Sequence, residues 1–377
     1  MRITDTMTAN NAIYNINEGR IKLDRLNEAI SSGKVVNRPS DDPVSTKKIL
    51  DLETQIKSSN QYVSNIKTGQ TWLDMAGTSL EGLLSSVMSI KGAAGQALGA
   101  LTDPVKKDNV LSQLKAFRDQ LTDYPDVQVG GQYVFSGFKN DVPPFGENTV
   151  TGNITSGTFD IANIDTTDLY PGLPIIGPGI PPDSTVSTIT TSSTGSGISD
   201  GAITFTNPKT PPTTATASAT AATLTFTGKF NGTEDIVNME ITKGVQVPIS
   251  ISGGAILRAG TPPGSTGGVD IIKTLDTLIA DINSGNTAGI NTANTDLDKA
   301  NQQLLGAISD VGMRKARMDN ALTAQQRNLN VLSEIHDNLQ NVDMAKAAIE
   351  LTNQKTAFEA ALAATAKIAP LSLLNYL

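Results

Sequence analysis

The sequence predicts an α+β fold in which long N- and C-terminal helices pack as an elongated coiled-coil bundle and a β-rich middle domain protrudes from it. Three observations carry that expectation. From Ile49 to Leu101 apolar residues recur at spacings of three and four, and twelve of the sixteen a and d positions are apolar, the period of a helical seam. A second seam runs from Leu297 to Leu339. Between the two, 13 of the 18 prolines fall between Pro143 and Pro263, a composition that helices do not tolerate.

The first element is a weak helix with seam positions Ala9, Ala12, Ile16, Gly19, Leu23, Leu26 and Ile30. Alanine and glycine stand where a robust coiled coil has leucine, so the helix is expected to fray when alone. It stops at Ser31-Ser32-Gly33. In the turn Arg38-Pro39-Ser40-Asp41-Asp42-Pro43, Ser40, Asp41 or Asp42 caps the next helix and Pro43 occupies its first turn.

That next helix buries Ile56, Val63, Ile66, Leu73, Leu80, Leu84 and Val87. A rod of this period spans on the order of 80 Å and needs partners along its length. It also holds Gly69, Gly77, Gly82, Gly92, Gly95 and Gly99, each costing about 1 kcal/mol against alanine. Either the helix tolerates them or other helices approach closely there. Thr102-Asp103-Pro104 opens a third helix with seam Val110, Leu114, Phe117 and Leu121. Residues 127–138 alternate around Gly130-Gly131, a hairpin that includes Tyr133, Phe135, Gly137 and Phe138.

Residues 143–265 form the outer β domain, with nine acidic against four basic residues from Glu147 to Arg258. Short strands are expected at Thr158–Ile164, Thr185–Thr191, Ala202–Phe205, Thr223–Thr227, Val237–Ile241 and Val245–Ile251. Thr210–Thr220 is low in complexity and reads as an exposed loop or edge strand. Helix resumes over Val269–Ile282 and again from about Asn294, burying Leu304, Ile308, Val311, Leu322, Leu329, Leu332 and Leu339. The period breaks at Val342-Asp343 and restarts at Met344, Leu351, Phe358 and Leu362. The domains expected are therefore 1–42 with 343–377, 43–142 with 266–342, and 143–265.

The composition limits the chemistry. At a net charge of −8, with no cluster of Lys and Arg, the chain is not built to neutralise a phosphate backbone. Cysteine is absent, which excludes disulfides and thiolate metal sites. The opening residues lack an apolar h-region, so no cleaved signal is expected, and no apolar run approaches the ~20 residues that span a bilayer. His336, the single histidine, falls on a d position and reads as a packing residue. Asp41-Asp42 reads as a cap and turn, and Trp72 and Phe117 as packing beside the seams. The glycines around residues 192–197 lack the lysine of a phosphate loop. No catalytic, cofactor-binding or metal-binding residues are expected.

Arg2-Ile3-Thr4, Ser32-Gly33-Lys34, Asn37 to Pro43, Gly131 to Phe138 with Pro144-Phe145, Val342-Asp343-Met344-Ala345 and Leu371 to Leu377 together resemble the flagellin family. The resemblance covers residues 1 to about 148 and about 223 to 377, and it is closer to the junction-type members than to the filament-forming ones. It implies helical D0-like and D1-like parts and a β-rich D2-like part, in an extracellular axial protein of the bacterial flagellum exported without a cleaved signal. The implied role is a ring of copies that joins hook to filament and templates flagellin assembly. The implied partners are further copies, a second hook-filament junction protein, flagellin, and an export chaperone at the C-terminal helix. Residues 149–222 have no counterpart in the usual junction-type member and read as an inserted β module. A filament-forming flagellin, and a surface module binding a glycan or host through that insert, are the alternatives.

Overall fold

The computed structural model describes residues 5–165, 169, 173–181, 184–190, 200–206, 214–258 and 268–374. The fold is α+β. Its elements are α1 (Asp5–Ser32), α2 (Pro43–Ala100), α3 (Pro104–Asp123), β1 (Gln128–Val129), β2 (Gln132–Tyr133), β3 (Phe145–Ile154), β4 (Asp160–Asp165) and β5 (Ile175–Ile176), followed by β6 (Thr185–Thr190), β7 (Asp200–Thr206), β8 (Ala219–Phe230), β9 (Asn238–Thr242), β10 (Val245–Pro248), α4 (Gly253–Leu257), α5 (Ile271–Ser284), α6 (Thr287–Gln340) and α7 (Met344–Leu374). The chain divides into two compact units, Met1–Val63 with Thr323–Leu377, and Ser64–Leu322.

In the Ser64–Leu322 unit, α2 and α6 run antiparallel. Gln70 pairs with Asp319 at 2.6 Å, and Asp74 with Lys315 and Lys91 with Asp298 keep the same register. Ile66, Leu73, Leu80 and Val87 are at most 1% exposed. Trp72, Ala76, Leu83, Ile90 and Ala97 join them from the neighbouring face. That arc is wider than a two-helix seam because α2 is flanked by several elements at once. Toward the end of α2 the buried face is carried by Ala94, Ala97 and Ala100, and Leu98, an expected seam residue, is 38% exposed.

Two glycines of α2 permit close approach. A Cβ on Gly82 would lie 2.5 Å from the Tyr124 ring, and one on Gly69 2.8 Å from Met318. Gly92, Gly95 and Gly99 face open space. Asp103 caps α3, accepting from the Val105 N–H at 3.1 Å, as Thr102-Asp103-Pro104 anticipates. Asn286 takes the corresponding place for α6, so that helix starts at Thr287, earlier than its seam.

The β region forms one antiparallel sheet in the order β5-β8-β3-β4-β7-β6 and a separate β9-β10 pair. The sheet has its own core, in which Ile161, Ile164, Leu173, Leu224 and Phe226 are at most 2% exposed. Residues of the β9-β10 region, Ile241, Val247 and Ile249, pack instead into the helical core. All six expected strands are present.

Three features depart from the sequence expectation. β3 carries no strong strand signal and is held by pairing with β8 from Phe145↔Phe230 to Ile154↔Ala219. The stretch expected as an exposed loop partly enters the sheet core. Ala215 is 3% exposed, donating to Thr158 O and accepting from the Gly157 N–H, both at 3.0 Å. The same stretch reaches β8 at Ala219, whereas residues 210–213 lie outside the described residues. Finally, the proline-rich region does contain a helix, α4, five residues long and capped by the Ser252 hydroxyl accepting from the Ala255 N–H at 3.2 Å.

Candidate assembly surfaces

The turn between α1 and α2 is built from its own side chains. Gly33, at φ +72°, ends α1 in the left-handed conformation that glycine adopts freely. Asp41 accepts from the Arg38 N–H at 3.0 Å, and the Arg38 guanidinium lies 3.2 Å from Glu28. Of the three candidate caps, Asp42 serves: it accepts from the Val44 and Ser45 N–H groups at 3.0 Å and from the Ser45 hydroxyl at 2.6 Å. The Ser45 hydrogen bonds hold its carboxyl below the usual range. Pro39 and Ser40 are exposed. Asp343 caps α7 in the same way, and the Val342 N–H donates to Gly33 O at 3.0 Å.

Within the terminal unit, α1 packs against α7, with Gly19 against the Phe358 ring. Ile16, Leu23, Leu26, Ile30, Ile56 and Val63 are all half-buried, as are Leu329, Leu339, Leu351 and Phe358, whereas Leu332 is 9% exposed. Met344 and Leu362, expected in the seam, are 51% and 43% exposed. Ile13, Tyr14 and Ile21 on α1 and Ile349 on α7 are also exposed. None of these four falls on an expected a or d position, and apolar residues off those positions mark a second face. The side chains of Arg2-Ile3-Thr4 and of residues 371–377 lie outside the described residues.

In the other unit, Leu304 and Val311 are buried and Leu84, Ile308 and Leu322 half-buried. The hairpin forms with Gln128↔Tyr133 and Val129↔Gln132 paired around Gly130 and Gly131, at φ +62° and +83°. Tyr133 is half-buried and Phe135 is 1% exposed in the helical core, but Phe138 is 63% exposed. One charged pair was not legible in the sequence: Arg118 of α3 and Asp276 of α5 meet at 2.7 Å with side chains 9% and 4% exposed. Burial pushes the Asp276 carboxyl up to about 6 against the opposing pull of Arg118.

The candidates for chemistry have structural surroundings. Among the described residues, no group of three or more His, Cys, Asp or Glu could hold a metal ion. His336 Nε2 lies 3.6 Å from Glu53, and Trp72 is buried in the helical core. No helix of the described residues is long and apolar enough to cross a membrane.

Two family models match the helical ends on either side of the β region: the bacterial flagellin N-terminal helical region over residues 3–140, and the bacterial flagellin C-terminal helical region over residues 290–377. Together they cover more than half of the chain. The chain belongs to the flagellin family. Flagellar hook-associated protein 3 of Salmonella typhimurium is 27% identical over 171 residues, 41% of this chain and 52% of that protein. Its namesake in Escherichia coli K12 is 26% identical over 152 residues, 39% of this chain and 47% of that protein. The chain thus spans about half the length of the curated relatives it matches. A solved flagellar hook-associated protein from Vibrio parahaemolyticus matches 80% of this flagellin-family chain and 100% of its own, at 19% identity and a TM-score of 0.52, a likeness of fold.

Proposed function

We propose that this flagellin-family chain is a structural axial protein of the bacterial flagellum, not an enzyme, that joins hook to filament as a ring of copies and templates flagellin assembly. One observation carries the reading. Within the regions that match the flagellin helical models, the seam residues Ile16, Leu23, Leu26 and Ile30 of α1 and Leu351 and Phe358 of α7 are left half-buried in a single chain, so neighbouring subunits supply the burial still missing there. The hook-associated names of its relatives support the junction role over the filament role. In this reading the domains are 1–42 with 343–377, 43–142 with 266–342, and 143–265. The partners are further copies, a second junction protein, flagellin, and an export chaperone at α7. The protein works outside the cell.

Deleting the gene tests this. Cells should keep their hooks and release flagellin into the medium but grow no filament, and normal filaments in the deletion strain would defeat the reading. A second reading, in which the β module at 149–222 binds a glycan or host surface, draws on one feature: the sheet has a hydrophobic core of its own, separate from the helical core. Unchanged adhesion after excision of the insert would remove it.

A further inference from the structure

β3 and β8 are strands that the helical core and the sheet core share. Phe145 and Phe230, paired at one end with ring centroids 5.4 Å apart, pack in the helical core. Further back along β8, Phe226 already belongs to the sheet core, with Leu224 and Ala222 beyond it. The changeover falls at Gly228. Gly146 pairs with Lys229 and Glu147 with Thr227, so Gly228 is the extra residue of a β-bulge, with φ +90°. A bulge bends its strand, and glycine takes the left-handed conformation there without strain.

The bend is seated on a charge. A Cβ on Gly228 would lie 3.1 Å from Nη2 of Arg118 and 3.6 Å from Ile272. The Arg118 Nε–H donates to Asp276 Oδ1 at 2.7 Å, while Asp276 Oδ2 is buried and accepts no hydrogen bond among the described residues. Two helices of the bundle, α3 and α5, thus supply the charged pair on which a strand of the sheet turns. The other charged groups about the pair are Asp270, which caps α5, with Arg258 3.6 Å from it and Lys273 acting on it. The side chains of Glu147 and Lys229 on the strands lie outside the described residues.

We propose that Arg118 and Asp276 form a proton-controlled latch at the root of the outer sheet. While Asp276 is charged, it holds the guanidinium against Gly228 and fixes the direction in which the sheet leaves the bundle. When a proton settles on Oδ2, the charge that holds the guanidinium is gone and the bulge can bend. Burial sets where this happens, pushing Asp276 up to about 6 against the pull of Arg118, with Asp270 adding to the rise. The proton removes a buried charge, so the bundle stays folded as the root is released.

The absence of cysteine allows two spin labels to be placed on the full chain at exposed Ala116 of α3 and exposed Ala162 of β4. Pulsed dipolar spectroscopy on Ala116→Cys/Ala162→Cys should give one narrow distance at about pH 7.5 and lose it to a broad distribution at about pH 5, on either side of the Asp276 value. Adding Asp276→Asn, which keeps the shape of the side chain and removes its charge, should give the broad distribution at both. A distance that is the same at the two pH values overturns the proposal, as does a narrow distance in the Asp276→Asn variant. So does a pH response that vanishes with Asp126→Asn, since Asp126 is also raised to about 6. A second label pair within the sheet, Thr190→Cys/Thr223→Cys, should stay narrow throughout; broadening there would mean that the sheet itself loosens, and the latch would be wrong.

Discussion

In the helical bundle, Ile66, Leu73, Leu80 and Val87 are at most 1% exposed, whereas the corresponding seam residues of α1, Ile16, Leu23, Leu26 and Ile30, are only half-buried. Both helices repeat apolar residues every three or four positions, so periodicity does not separate them. The number of neighbours does. The α2 stretch beyond residue 64 packs in one core with α3, α5, α6, β9 and the hairpin loop, while α1 packs against α7. A seven-residue pattern fixes which face of a helix is buried, and the elements around it fix how deeply.

The largest expected effect tests that distinction. Leu80→Ala should cost about 2–5 kcal/mol, the range for deleting a buried leucine, while Leu23→Ala in the dilute single chain should cost less than about 1 kcal/mol. Urea unfolding of both variants checks it, and equal losses would make periodicity the better guide. Close behind comes Arg118→Met, which leaves Asp276 buried without its guanidinium and should cost about 3 kcal/mol.

The glycines of α2 sharpen the comparison within one helix. Gly82→Ala would push a methyl into the Tyr124 ring and should destabilise by about 1–3 kcal/mol. Gly95→Ala, facing open space, should stabilise the single chain by about 1 kcal/mol. Opposite signs in thermal unfolding are the expected result.

The last effect is one of pH. Burial raises both Asp276 and Asp126 from 3.8 to about 6, and the neighbouring Asp123 adds to the shift at Asp126. Between those values the folded protein holds protons that the unfolded chain has lost. The stability these two groups contribute is therefore greatest at low pH and falls as pH rises through about 6. Asp126→Asn should flatten that part of the curve in chemical unfolding between pH 4 and 7, without leaving a cation unpaired.

Much of this architecture could be read from residue order. The α2 and α6 seams, the Asp103-Pro104 helix start, the Gly130-Gly131 hairpin and six short strands all declare themselves through local pattern. What could not be read depends on residues distant in sequence. β3 exists because β8 pairs with it, and Ala215 is buried because the sheet folds over it. Arg118 meets Asp276 across 158 positions, with no local mark on either residue. On the assembly surfaces the seam positions were legible, but the exposed faces at Ile13, Tyr14, Ile21 and Phe138 were not. Period counting ranks residues by their fit to one partner and overlooks a second.

Amide hydrogen exchange, followed by mass spectrometry on the dilute single chain and on the assembled junction, bears most directly on the proposed dependence of the terminal helices on their neighbours. Backbone amides of α1 and α7 should exchange quickly in the single chain while residues 66–97 of α2 stay protected, and assembly should slow α1 and α7 to the same level. Protection of α1 and α7 in the dilute single chain equal to that of α2 would contradict the account.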